Sequence, residues 1–261
     1  MARFVAVMAT LMGCVAQGAP QSTPSISNAK RIDRILTQLE EQNAALRDIH
    51  CKIEFLESDD VNLSHRKKWG TVRYLAADPN PLFMIHFEAG EVDGVVLKQE
   101  WYLFDGRFLY NAVERRKHVT KQEIVRPGEK RDFFDLETAP FPMPFGQKKG
   151  SILRHFDLTL AESSTSDPPD TDHLVCVPKA TSRLYRKYDR VDMFIHRKVH
   201  LPMRIVVVKN SGYETQTANF PDLSVDSINT GLSKADFKNP KSWSGYQVVV
   251  EMLPPVTQPS P

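Results

Sequence analysis

The chain has 261 residues, 41% of them hydrophobic and 25% charged, with a formal charge of +2. This composition excludes wholesale disorder and supplies a sizeable core, and a charge so near zero gives no reason to expect a nucleic-acid partner. Three cysteines, Cys14, Cys51 and Cys176, are too few for a disulfide framework and form no Cys-x-x-Cys spacing, which excludes zinc-ribbon and thioredoxin-like readings.

Residues 1–18 carry one cation, Arg3, then the apolar run Phe4–Leu11 and the small residues of Ala16-Gln17-Gly18, the layout of a secretory signal peptide. Export with cleavage near Gly18 is the expectation. Leu11-Met12-Gly13-Cys14 also resembles a bacterial lipobox, so lipidation at Cys14 is the competing reading. The leader's apolar run is too short to span a bilayer, and no later segment has the ~18 uninterrupted apolar residues a membrane helix needs. Residues 19–27, small, polar and proline-bearing, read as a flexible linker.

Ile32, Ile35, Leu36, Leu39 and Leu46 then fall on one stripe of a helix over 28–47. From Ile49 the period changes to two, with Ile49, Cys51, Ile53 and Phe55 on one side of a strand. Further strands are predicted over 70–75, 82–87, 95–104 and 107–113, with Asp105-Gly106 as a tight hairpin turn between the last two. The series continues over 117–125, 154–160, 173–177, 186–195, 202–209, 213–220 and 245–253. Cys51 and Cys176 fall on strand patterns and are expected as two buried thiols rather than a bridge. Residues 131–152, rich in proline and phenylalanine, interrupt the series as a lid or short helices, and 161–172 as a polar loop.

So many consecutive strands with short turns predict a mainly β, α+β fold: a curved antiparallel sheet, an incomplete barrel, with the N-terminal helix and a short helical or loop lid on its concave face. The folded unit is expected over 28–253, with a proline-rich disordered tail over 254–261. The strands over 82–87 and 202–208 are apolar on both faces, so something must cover each side.

Known reaction motifs are lacking: no Gly-x-Ser-x-Gly elbow, phosphate loop or dinucleotide fingerprint occurs. His196 and His200 lie four apart at a strand end, where that spacing does not converge on a metal, and read as surface histidines. Asp170, Asp172 and His173 read as a solvated loop cluster. The basic runs His65-Arg66-Lys67-Lys68, Arg115-Arg116-Lys117-His118 and the arginines between Arg183 and Arg190 read as solvated turns and strand faces, with peripheral contact to lipid head groups as the functional reading. No enzyme activity, catalytic residue, metal or cofactor is expected.

The order of the pieces resembles the periplasmic lipoprotein carrier family of LolA and LolB, especially its larger planctomycete relatives. The resemblance runs from about Ala29 to Trp243. It rests on the amphipathic first helix, the strand Trp69-Gly70-Thr71-Val72-Arg73-Tyr74-Leu75, and the strand–Asp–Gly–strand hairpin from Trp101 to Tyr110. Pro142-Met143-Pro144-Phe145-Gly146, the strand His173–Val177 ending in Pro178-Lys179-Ala180, and Asp236-Phe237-Lys238-Asn239-Pro240 complete it. Where the carriers place an arginine before a proline after the second strand, this chain has Asp78-Pro79, and Arg73 is the candidate substitute for that lid latch.

The resemblance implies an exported, periplasmic, non-enzymatic carrier whose half-barrel cavity takes acyl chains of lipids or lipoproteins, as in the sorting of outer membrane lipoproteins. Phe83, Phe87, Trp101, Phe104, Phe108, Phe141 and Phe145 are then the candidate cavity wall; read from the residues alone such alternating aromatics are core, and the resemblance makes core and cavity wall largely the same concave face. The alternative is an envelope protein-interaction or stress-sensing module on the same fold, with a closed core and a protein partner at its rim.

Overall fold

The computed structural model describes residues 26–131, 145–209, 212–238 and 243–254. The leader, most of the linker and nearly all of the tail lie outside these residues, as do Phe133, Phe134, Phe141 and Met143 of the proline and phenylalanine stretch.

Helix α1 (Ile26–Ala45) carries the predicted stripe: Ile32, Ile35, Leu36 and Leu39 are each at most 6% exposed. The chain leaves the helix at Ala45, and buried Leu46 leads into β1 (Asp48–Asp59), where the period becomes two. Then come β2 (Ser64–Leu75), β3 (Leu82–Val92), β4 (Val95–Leu97), β5 (Glu100–Phe104), β6 (Phe108–Val113) and β7 (His118–Glu123). A short helix α2 (Lys149–His155) runs directly into β8 (Phe156–Leu160), followed by β9 (Thr171–Pro178), β10 (Tyr188–His196), β11 (Pro202–Lys209), β12 (Glu214–Asn219) and β13 (Gln247–Glu251). The stretch predicted as one strand over 95–104 is two, and the basic run from His65 to Lys68 belongs to β2.

All of these strands form one sheet, in the order β13-β7-β6-β5-β3-β2-β1-β12-β11-β10-β9-β8, with β4 alongside β3. Two antiparallel meanders, β1 to β7 and β8 to β12, are joined where β12 pairs with β1, Ala218 opposite Phe55. The sheet is curved and is not closed into a barrel. Its curl brings Phe104 of β5 and Leu174 and Cys176 of β9, far apart in strand order, into one buried cluster with the α1 stripe. That side is therefore the inner, concave face.

Two glycines have conformational reasons. Gly106 (φ 95°) makes the predicted hairpin turn, and Asp105 Oδ1 accepts from the backbone N–H groups of Arg107 at 2.9 Å and Phe108 at 2.7 Å. Gly70 sits at a bulge in β2 against β3, where a Cβ would stand 1.8 Å from the carbonyl oxygen of His86.

The demand for two covers is met on β3, whereas on β11 every residue after Pro202 is only half-buried. On β3, Phe83 and Phe87 belong to the inner cluster, whereas Leu82 and Met84 join Trp101, Leu103, Tyr110, Ala112 and Val119 on the outer face. The outer cluster is closed by the segment after β12, through Leu232, Phe237, Trp243 and Tyr246. Trp243 stands edge-on to Trp101 at 6.2 Å and 5.9 Å from Tyr110.

The bulge makes a sharp test. Gly70→Ala forces backbone apart and is expected to cost about 2 kcal/mol or more. Urea unfolding of the variant against wild type measures it, and an unchanged midpoint would contradict the close approach.

Candidate functional site

Strand alternation sorts the predicted cavity wall onto two faces. Phe83, Phe87, Phe104 and Phe145 meet on the inner face, with Phe145 5.1 Å from Phe220 and both Phe104 and Phe145 wholly buried. Trp101 and Phe108 do not join them: Trp101 is one residue out of phase with Tyr102 and Phe104, so both residues pack on the outer cluster. They are removed from the cavity wall for that reason. Phe141 lies outside the described residues. Arg73 is likewise out of phase with the inner-facing Val72 and Tyr74, so it cannot latch a cover on the concave side.

Among the described residues, the cover on the inner face lies at one end. Here α1 lies against β8 and the start of α2, held by Arg31 to Asp172 at 2.6 Å, Lys149 to Asp33 at 2.6 Å, and Asn43 bonded both to the Gly146 N–H and the Gln147 carbonyl. Toward the other end of the strands the apolar surface continues, with no such cover among the described residues. Phe55, Tyr102, Val191 and Ala218 pack against the buried cluster and remain partly exposed.

Beyond this strip the same face turns polar. Lys68, opposite Phe55, pairs with Glu100 at 2.6 Å, the two side chains being 8% and 17% exposed. The Lys68 ammonium lies 5.3 Å from the centroid of Phe87, which contacts Phe55 at 6.1 Å and Tyr102 at 6.2 Å. Glu57 takes Arg66 at 3.2 Å and the Gln216 amide at 2.9 Å. Asn111, opposite Tyr102, has a buried side-chain oxygen without a hydrogen-bond donor. Burial, followed by the charges of Glu100 and Glu57, pushes the Tyr102 phenol up. The arrangement is an apolar trough ending in a partly desolvated group that offers both charges. Lys68 stood out in the sequence only as part of a basic run, and Glu100 did not stand out. The signal available was Phe55, Lys68, Phe87 and Glu100 sharing strand patterns, but their register was not legible.

Among the other groups singled out in the sequence, Asp172 meets the protein's own cations, Arg31 and Arg197. His173 stacks on Phe194 at 4.1 Å and bonds Asp192 at 3.1 Å, so this cluster fastens α1 and the strands β9 and β10. His196 Nδ1 accepts from the N–H groups of Lys198 and Val199 in a turn, and burial lowers its pKa. Cys51 and Cys176 are free and buried on the inner face. Burial first, and then Asp222, pushes the Cys51 thiol up to about 12; burial and Asp192 push Cys176 up as well.

No helix among the described residues is long and apolar enough to cross a membrane. No family model matches the chain, and no curated protein matches it. Solved structures do. A structure from Thermus thermophilus, described as an uncharacterized conserved protein, is 13% identical with a TM-score of 0.48, covering 85% of this chain and 99% of that one. The chain matched in the Pseudomonas aeruginosa MucA/MucB complex is 14% identical with a TM-score of 0.38, over 84% of this chain and 63% of that one. A LolA superfamily protein from Nitrosomonas europaea is 11% identical with a TM-score of 0.30, over 79% and 97%.

The buried acids of the inner face set an alkaline limit. Cys51 and Tyr74 both have pKa values raised by burial to about 12, so above the ordinary thiol and phenol range the unfolded chain ionises while the folded chain stays protonated. Their contribution is complete below about pH 9 and is lost as the pH rises through about 12. Unfolding free energies across that interval should therefore fall, and a flat profile would contradict the burial of these groups.

Proposed function

We propose that this is an exported, non-enzymatic binding protein that carries acyl chains of lipids or lipoproteins on the open part of its inner face. The observation that carries the reading is the strip of Phe55, Tyr102, Val191 and Ala218, apolar, partly exposed and continuous with the buried core. It is supported by the sequence resemblance to the periplasmic lipoprotein carriers. Binding there needs no chemistry: a methylene removed from water yields about 0.8 kcal/mol, so half of a ~16-carbon chain gains roughly 6 kcal/mol before ordering costs. The Lys68, Glu100, Tyr102 and Asn111 group at the end of the strip then meets the polar end of the cargo.

A second reading, an envelope interaction module with a closed core, is favoured by the packing beneath α1, where Phe104 and Phe145 leave no exposed surface. In that reading the rim and a protein partner carry the function.

Phe55→Asp separates the two. It places a hydrated carboxylate on a strip that is partly exposed already, so the fold is retained while a fluorescent acyl probe should bind about tenfold more weakly or worse. Circular dichroism verifies the fold. Wild-type protein that binds no acyl probe, and whose organic extract holds no lipid by mass spectrometry, would overturn the carrier in favour of the interaction module.

A further inference from the structure

The carrier reading leaves the outer face without a role, yet that face holds a cavity of about 350 Å³. Its floor is β2, β3 and β5, where Thr71, His86 and Trp101 stand side by side in register, with Met84 next along. One wall is the segment after β12, through Asp236 and Lys238. His86 stacks on Trp101 at 4.9 Å with the rings 9° from parallel, and its Nε2 bonds the Gln99 side-chain oxygen at 3.3 Å.

Arg73 makes this cavity unlike an ordinary surface dent. Its guanidinium makes one hydrogen bond among the described residues, a long one of 3.3 Å from Nη1 to the Asp236 carbonyl. Its Nε–H is shut off from solvent and meets no acceptor among the described residues. A buried donor left unmade is destabilising, and a guanidinium is the side chain best shaped to hold an oxyanion. Lys238 adds a second cation on the opposite wall. The one carboxylate among the described residues of the lining, Asp236, accepts from the Ser233 N–H at 2.8 Å and the Ser233 hydroxyl at 2.9 Å, and these bonds first, then the charge of Arg73, hold its carboxyl below the usual range without a hydrogen bond to the guanidinium. The cavity thus has two cations, one occupied anion, and a flat stacked pair beside Met84.

We propose that this outer-face cavity is a binding site for a small organic anion, its carboxylate or phosphate group held between Arg73 and Lys238 and its body lying over Met84 and the His86–Trp101 stack. The oxyanion supplies the acceptor that Arg73 lacks, with the guanidinium turning toward it. The site is separate from the acyl trough, which lies across the sheet, and does not depend on it.

The test titrates the full chain with inorganic phosphate and, separately, with benzoate, each at ionic strength held constant with chloride. Tryptophan fluorescence and the Arg73 Nε–H resonance are followed. A saturable change is expected in both signals; response to phosphate alone assigns a phosphorylated ligand, and response to benzoate alone a carboxylate. Arg73→Gln should weaken binding about tenfold or more, as expected for loss of a charge-assisted bidentate contact. Lys238→Gln, at an exposed position where the fold is not at risk, should weaken it about threefold. Arg190→Gln, outside the cavity, should leave it unchanged. No saturable response to either anion, or unaltered affinity in a folded Arg73→Gln or Lys238→Gln protein, would overturn the site.

Discussion

Strands β3 and β5 are apolar on both sides, and most of the architecture follows from that. Side chains alternate across a strand, so Phe83, Phe87 and Phe104 face one way while Leu82, Met84, Trp101 and Leu103 face the other. A single sheet leaves one of these sets in water unless the rest of the chain supplies two separate covers. Helix α1 provides the inner one and the segment after β12 the outer one. The two covers meet at Asp48, which is 3% exposed. Its carboxylate accepts from the Thr230 N–H and hydroxyl at 2.7 Å and from the Gly231 N–H at 3.1 Å. Asn229 returns the contact, its side-chain oxygen accepting from the Arg47 N–H at 2.7 Å and its N–H donating to the Asp48 carbonyl at 2.8 Å. Hydrogen bonds to an ionised group are worth roughly 1.5–3 kcal/mol each, so this junction fixes where α1 ends and where the outer cover begins.

Magnitudes decide how the inner face can be used. Fully burying an aliphatic side chain is worth about 1.5–3 kcal/mol, so the four α1 stripe residues contribute roughly 6–12 kcal/mol gross. Arg31 of the Arg31–Asp172 pair is 44% exposed, and such pairs contribute at most about 1 kcal/mol. The helix is therefore held by burial, with the ion pairs setting its position. A ligand that lifted α1 would have to replace that burial, whereas a ligand on the Phe55 and Tyr102 strip displaces only water. Under the proposed reading, binding therefore belongs on that strip, and α1 is part of the core, where the family resemblance implies a lid.

The legible part of the fold was what periodicity encodes. The α1 stripe, the change of period at Ile49 and the Asp105-Gly106 turn each depend on residues close in sequence, and they are found where they were expected. Apolarity on both sides of the strand over 82–87 correctly required two covers. The identity of the outer cover was hidden, because Leu232, Phe237, Trp243 and Tyr246 show no period and their burial comes only from the path of the chain. The site was less legible still. Grouping Trp101 and Phe108 with Phe104 ignored a parity that the sequence did contain. The Lys68–Glu100 pair depends on register across β2 and β3, including the bulge at Gly70, which shifts the pairing by one residue and which no local pattern announces.

The outer cover follows from one unusual pairing. Strand β13 joins β7 in parallel, in a sheet otherwise antiparallel among the described strands. Parallel neighbours need a crossover, not a hairpin, and β12 and β7 are separated by β1, β2, β3, β5 and β6 in the sheet order. The chain after β12 must travel across these strands, and its contacts record the route. Ile228 bridges Ile49 of β1, Arg73 of β2 meets the Asp236 carbonyl, Trp243 reaches Trp101 of β5 and Tyr110 of β6, and Gln247 bonds the Lys117 carbonyl ahead of β7. A segment that lies across a sheet, rather than pairing with it, touches through a few anchors and leaves space beside them. The Arg73 cavity is such a space, next to the anchor Phe237. Both faces are built on β3 and β5, whose residues serve the inner and the outer cluster alternately.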